Sequence, residues 1–205
     1  MTPLVVTMID YGAGDLTSVI KGLETAGADV RLATSPESVI GAEALVVPGV
    51  GHFEATRSLD ADWRNAITES VKHSVPILGI CLGLQFLFEG SDEAPDLPGL
   101  GLFPGRCVEL SGDVKVPHVG WNTLERTRRP TRLFGGIDSG AYAYFTHSFA
   151  APVVDRTVAT TAHGGTFSSV VERGSVFGVQ FHPEKSGRAG LRLLENFVNL
   201  AREST

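Results

Sequence analysis

Cys81 stands in Leu78-Gly79-Ile80-Cys81-Leu82-Gly83-Leu84-Gln85, with one glycine two residues before it and another two residues after. That spacing is the cysteine form of a nucleophile elbow, where a strand turns sharply into a helix and offers a side chain at the bend. The chemistry it suggests is thiolate attack, because a helix N-terminus favours the anion and only the thiolate is a competent nucleophile. The backbone N–H of Leu82 would then face a developing oxyanion. A second group lies far along the chain, in Gln180-Phe181-His182-Pro183-Glu184-Lys185-Ser186. Residues i and i+2 of extended chain share a side, and Pro183 disfavours helical geometry at His182. His182 and Glu184 therefore project together, as general base and orienting carboxylate. Taken alone, the cysteine reads as an inert buried thiol and His-Pro-Glu as a polar turn. Their combination points to a Cys–His–Glu triad.

The elements that must position these groups follow from periodicity. The apolar run at 75–80 predicts a buried parallel strand, and 82–89 the helix after it. Upstream, 4–9 reads as a strand and Tyr11-Gly12-Ala13-Gly14 as a glycine loop. Asp15 then caps a helix with Leu16, Val19, Ile20 and Leu23 on one face, stopped at Gly27. Strands follow at 30–33 and 44–47, with Ser35-Pro36 as N-cap and first helical position between them. Pro48-Gly49-Val50-Gly51 makes a turn, and a helical pattern runs on to His73. The expectation is an α/β fold: a mostly parallel central sheet, flanking helices, and a site at the strands' carboxyl ends. Beyond a Pro/Gly-rich loop at 92–104 the pattern changes to short β segments at 106–110, 114–119, 141–149, 157–161, 167–172 and 176–181. These suit an antiparallel extension with a hairpin at His163-Gly164-Gly165. An amphipathic helix carrying Leu191, Leu194, Val198 and Ala201 closes the chain. No linker separates the halves, so one domain over 1–205 is expected.

The chain has 205 residues, a net charge of −6 and two cysteines, Cys81 and Cys107. That length allows one full core, the charge argues against a nucleic-acid partner, and two cysteines make no disulfide framework, which suits a reducing cytoplasm. No stretch approaches the ~20 apolar residues of a membrane span, and residues 1–9 read as a first strand and not as a signal peptide. No Cys/His spacing suggests a metal site, and no cofactor is expected. Gly12-Ala13-Gly14 lacks the third glycine of a dinucleotide loop, and the 48–51 turn lacks the Lys-Ser/Thr of a P-loop. A turn bringing backbone N–H groups close to the nucleophile is the better account of 48–51.

Gly-Ile-Cys-Leu-Gly-x-Gln with a distant Phe-His-Pro-Glu resembles the class I (triad) glutamine amidotransferases over nearly the whole chain. Four stretches narrow the resemblance to the glutaminase subunits of imidazole glycerol phosphate synthases, which serve histidine biosynthesis. They are Asp10-Tyr11-Gly12-Ala13-Gly14, Val116-Pro117-His118-Val119-Gly120-Trp121-Asn122, Tyr144-Phe145-Thr146-His147-Ser148-Phe149, and His182-Pro183-Glu184-Lys185-Ser186-Gly187. The resemblance implies that Cys81 attacks glutamine, His182 moves the protons and Glu184 orients His182. It implies an oxyanion hole from the N–H of Leu82 and one from Val50 or Gly51. Gln85, Glu93, Ser148, Phe149 and Gly51 would surround bound glutamine, with Glu93 suited to the α-ammonium. Tyr11, His118 and Trp121 would lie towards a (β/α)₈ cyclase partner that receives the ammonia. Asp15 stands where the family commonly has asparagine, which alters one polar contact to that partner. As bare residues, Tyr11, His118, His147 and Trp121 read as packing or capping groups. His52, His73 and His163 carry no assignment, and Lys185 reads equally as a solvated charge or a partner contact. Rival readings are a glutaminase for another synthase (anthranilate or pyridoxal phosphate), an independent cysteine hydrolase, and a catalytically silent regulatory subunit.

Overall fold

The computed structural model describes residues 3–204; Met1 and Thr2, which opened the leader reading, and Thr205 lie outside them. The first half winds as expected. β1 (Leu4–Ile9) leads through the glycine loop to α1 (Leu16–Thr25), whose N-cap Asp15 accepts from the Ser18 N–H. β2 (Ala28–Ala33) and β3 (Ala44–Val47) follow, separated by a 3₁₀ turn at Pro36–Val39. Ser35 occupies the cap position there without making a side-chain cap bond. The helical pattern up to His73 divides into a 3₁₀ segment, Phe53–Ser58, and α2 (Ala61–Lys72), because Asp60 caps a new helix through the Asp62 and Trp63 N–H groups. β4 (Ile77–Ile80) then meets Cys81, and α3 (Leu82–Leu87) is a short, fully buried helix that ends two residues before the expected Glu89.

The second half holds two corrections. β5 (Gly90–Ser91) and β6 (Arg106–Glu109) flank the Pro/Gly-rich loop, but the strand expected at 114–119 starts only at His118 and runs on as β7 (His118–Arg126). From His118 to Leu124 it pairs residue by residue with β8 (Ala141–His147). Pro117 has no N–H to extend that ladder. The strand expected across 141–149 breaks at Ser148, and β9 (Phe149–Ala150) turns away to pair with β6. β10 (Thr157–Ala162), β11 (Thr166–Arg173) and β12 (Val176–Val179) form the predicted hairpins, and α4 (Gly187–Ser204) closes the described chain.

The strands join in one nine-stranded sheet, ordered β2-β1-β3-β4-β12-β11-β10-β7-β8, with β5, β6 and β9 as a small second sheet. β2 through β12 are parallel neighbours; from β12 to β8 every pairing is antiparallel. Apolar side chains of α1 and α4 (Val19, Leu23, Leu194, Phe197) pack on one face of the parallel part, and Trp63, Ile67 and Phe86 on the other. The antiparallel part curls until its edge strand returns to the catalytic loop, where the His182 N–H donates to the Tyr144 carbonyl at 2.9 Å. Among the described residues no helix is long and apolar enough to cross a membrane.

Candidate active site

The site forms where β4 and β12 lie side by side. Their register places Ile80 against Val179, so Cys81, Gln180 and His182 leave adjacent strand ends together. The elbow is as tight as its glycines require. Cys81 takes φ 53° and ψ −104°, a left-handed geometry that non-glycine residues rarely adopt. A Cβ on Gly79 would come within 2.7 Å of the Gly83 carbonyl oxygen, and one on Gly83 would collide with the Val47 carbonyl of β3. Both glycines exist because α3 packs its backbone directly on the sheet.

Cys81 is nearly buried, with Sγ 3.8 Å from the Thr146 carbonyl and 3.7 Å from Gln180 Nε2. His182 is 2% exposed and its Nδ1 lies 2.8 Å from Glu184 Oε1. Nε2, the other edge, is buried and makes no hydrogen bond, as does Glu184 Oε2. Burial alone would lower the His182 pKa. The Cys81 sulfur and the Glu184 carboxylate outweigh it and raise the pKa from 6.5 to about 10. A histidine held as its cation beside the sulfur is placed to give a proton to a leaving group. The pairing of His182 and Glu184 through Pro183 is as read from the sequence, except that 183–185 close a 3₁₀ turn after His182.

Other expected residues fall into place unevenly. Gln85, buried, donates through Nε2 to the Phe149 carbonyl (2.8 Å) and to Gln180 Oε1 (3.3 Å). Ser148 and Phe149 lie at the break between β8 and β9, beside this network. Glu93 accepts from the Phe53 N–H at 2.7 Å, so in this state its carboxylate anchors the 48–53 segment. The Leu82 N–H is not open: it donates to the Gly49 carbonyl at 3.3 Å. Val50 and Gly51 continue the same loop, with Gly51 at φ 96°. Two residues expected to face a partner are instead buried. Tyr11 lies under the loop, its hydroxyl donating to the Pro48 carbonyl at 2.8 Å. His118 sits between Phe145 and His163, hydrogen-bonded through Nδ1 to His147 Nε2 at 3.0 Å. Their apolar rings are better covered than exposed. Asp15 is exposed and Trp121 is 56% exposed, on the outer rim. Hydrogen bonds from Ser18 first, and then Lys185, hold the Asp15 carboxyl below the usual carboxylate range.

Gln180 was not singled out by sequence, although it sits two residues before His182 on the same strand face. Ser186 was missed too: its hydroxyl donates to the His182 carbonyl at 2.6 Å and accepts from the Tyr144 N–H at 2.9 Å, tying the base to β8. Its signal was the short polar residue closing the turn after Pro183.

Residues 7–200 match the profile described as "Glutamine amidotransferase class-I". The chain belongs to the class I glutamine amidotransferase family. The imidazole glycerol phosphate synthase subunit HisH of Halobacterium salinarum is 47% identical, covering 95% of this chain and 92% of that protein. The subunit of the same name from Thermococcus kodakarensis is 46% identical, covering 95% of this chain and 100% of the relative. Among solved structures, PurLQS from Thermotoga maritima aligns with a TM-score of 0.78 at 17% identity, over 97% of this chain and 99% of that one. A putative GMP synthase protein from Thermoplasma acidophilum aligns at 0.74 and 20% identity, over 99% of this chain and 96% of that one. These last two share the fold. The antiparallel extension expected from sequence thus belongs to an amidotransferase architecture.

Proposed function

We propose that this chain is the glutaminase subunit of an imidazole glycerol phosphate synthase, a single cytoplasmic domain that pairs with a (β/α)₈ cyclase and feeds it ammonia. The observation that carries the chemistry is the His182–Glu184 pair at 2.8 Å, with a free imidazole edge beside Cys81 on the neighbouring strand. The relatives at 46–47% identity support the synthase assignment.

The Cys81 thiolate adds to the side-chain carbonyl carbon of glutamine, and the carbonyl pair moves onto oxygen. As the tetrahedral adduct collapses, the nitrogen takes a proton from the His182 imidazolium and leaves as ammonia. His182, now neutral, takes a proton from water, whose oxygen adds to the thioester carbon. Collapse expels the thiolate and releases glutamate. Glu184 keeps the imidazole oriented and stabilises its charged form throughout.

The oxyanion is the step this conformation does not serve. Leu82 N–H is occupied by the Gly49 carbonyl. Rotation of the Gly49–Val50 peptide would withdraw that oxygen and present the Val50 N–H in its place. One missing oxyanion donor costs roughly 10²–10³ in rate, so the chain alone is expected to be nearly silent. Ammonia freed into neutral water becomes ammonium, which is not nucleophilic, so release without a partner would be futile. The test measures glutamate release by the chain alone, with the cyclase, and with cyclase plus its ribonucleotide acceptor. Rates should rise at each addition, and Cys81→Ala should abolish release while leaving synthesis from ammonium salts. Glutaminase activity surviving in Cys81→Ala would defeat the mechanism, and equal rates in all three mixtures would defeat the gating.

A further inference from the structure

Two groups touch the nucleophile's sulfur, and they suit opposite protonation states. The Thr146 carbonyl at 3.8 Å can only accept, so it partners the thiol S–H. The Gln180 amide at 3.7 Å has its nitrogen towards Sγ, and a donor there is of use only to an acceptor sulfur. An amide can be turned round, so its direction must be established. Here it follows from a backbone carbonyl. Phe149 C=O accepts and never donates, so the end of Gln85 that faces it at 2.8 Å must be the NH₂ group. The same nitrogen lies 3.3 Å from Gln180, which therefore presents its oxygen to Gln85. The nitrogen of Gln180 is then left for Sγ. The Phe149 carbonyl is itself held by His147 Nδ1 at 2.9 Å, which fixes the start of the chain. Gln180 is fully buried, so no water competes for its N–H.

We propose that Gln180 is a catalytic residue, the neutral donor that holds the Cys81 sulfur as a thiolate, with Gln85 positioning it. The inference rests on Cys81 being the nucleophile. Hydrogen bonds donated to the charged form of a group favour that form, and those made to an ion are stronger than neutral ones. The titratable groups facing the sulfur are His182 with Glu184 behind it and Tyr11 from the glycine loop. His182 supplies charge, but in the proton-transfer steps it becomes neutral. Gln180 is unaffected by that change, so it keeps the sulfur a good leaving group when the thioester breaks down. Its reach from β12 also sets the side from which the sulfur attacks. The strand places Gln180 and His182 on one face, so donor and base act on the same sulfur from neighbouring positions.

The experiment is the ultraviolet thiolate absorbance of the isolated chain across pH, taken as the difference from Cys81→Ala, for wild type and for Gln180→Met and Gln180→Glu. The methionine keeps the length and removes the donor; the glutamate keeps the shape and opposes a second negative charge. Far-ultraviolet dichroism establishes that each variant is folded, and Gln180→Glu carries the test if the methionine variant is not. Loss of one charge-assisted hydrogen bond should raise the midpoint by about one pH unit, a roughly tenfold fall in thiolate fraction below it. The shift should be larger in Gln180→Glu, and kcat should fall more than KM rises in the assembled synthase. A midpoint unmoved in a folded variant overturns the role of Gln180. Failure of the nucleophile reading looks different: glutaminase activity would then persist in Cys81→Ala, whatever Gln180 does.

Discussion

Glu184 binds His182 with one oxygen and buries the other without a partner. A carboxylate left half-satisfied in the interior is costly unless its charge is used, and here the charge is used on the imidazolium. Glu184→Gln keeps the shape and loses that charge, so the imidazole should titrate at lower pH by NMR. Turnover should fall by on the order of 10², the scale of a general acid–base contribution, with KM little changed. An unaltered kcat would leave Glu184 a structural role. The sign for stability follows from the raised pKa of His182. Its contribution is complete below 6.5 and is lost as pH rises through about 10. Thermal melts should therefore separate wild type from Glu184→Gln at neutral pH and bring them together at strongly alkaline pH. Cys107 is the contrast. It is fully buried in an apolar cluster with Leu87, Phe88 and Phe103, and burial pushes its thiol pKa up. Cys107→Ala should leave glutamine hydrolysis near wild type.

The elbow and the loop above it depend on close backbone approach. Gly83→Ala forces a methyl into the Val47 carbonyl. Overpacking typically costs about 1–3 kcal/mol and more where backbone cannot yield. With a sheet strand as the obstacle, denaturant titration should place this variant about 3 kcal/mol or more below wild type. The loop is held at its N-terminal end by Tyr11. The hydroxyl accommodates Gly49 so closely that a Cβ there would strike it, and it satisfies the buried Pro48 carbonyl. Tyr11→Phe orphans that carbonyl, at a cost of about 1–3 kcal/mol. It also frees the fixed end about which the Gly49–Val50 peptide must turn, so the cyclase-stimulated rate should fall while the low basal rate stays. Gly51→Val, at φ 96°, should abolish stimulation; a full response would clear the loop of the gating role. Elements of this kind were partly legible in sequence. The paired glycines around Cys81 announced the elbow, and alternating apolar runs announced the parallel sheet. The Gly49 carbonyl on the Leu82 N–H was not legible, because the orientation of a single peptide leaves no mark on residue type. Nor was the burial of Tyr11 and His118, since aromatic rings suit an interface and a core equally.

At the scale of the molecule, the curled antiparallel sheet carries a row of histidines inward from its outer rim. His147 donates through Nδ1 to the Phe149 carbonyl, and its Nε2 is met by His118 Nδ1, which stacks on His163. Burial first, and then mutual repulsion, lowers His118 to about 4 and His147 to about 3, with the Phe149 carbonyl offsetting part of the latter. Both are neutral in the folded state at pH 7, whereas unfolded chain takes up their protons below 6.5. The contribution of these two histidines to stability should therefore be constant above 6.5 and decline as pH falls through 6.5 towards 4 and 3. His147→Gln should flatten that decline in denaturant titrations between about pH 7 and 5, and an identical slope would remove these histidines as its source. Sequence marked the triad across the whole length of the chain because its three residues sit in short, distinctive motifs. The wiring between them came from strand order, which no motif records. That order also governs the moment at which the enzyme comes into being. β12 is made last of the strands, yet it lies between β4 and β11 and is the seam of the whole sheet. A nascent chain that stops before Val176 holds two unjoined half-sheets, with the thiol on one and no base on either. Insertion of a single strand closes the seam and delivers the histidine together. A translation product that stops before Val176 therefore cannot hydrolyse glutamine, and the appearance of hydrolysis during synthesis reports the closing of the sheet itself.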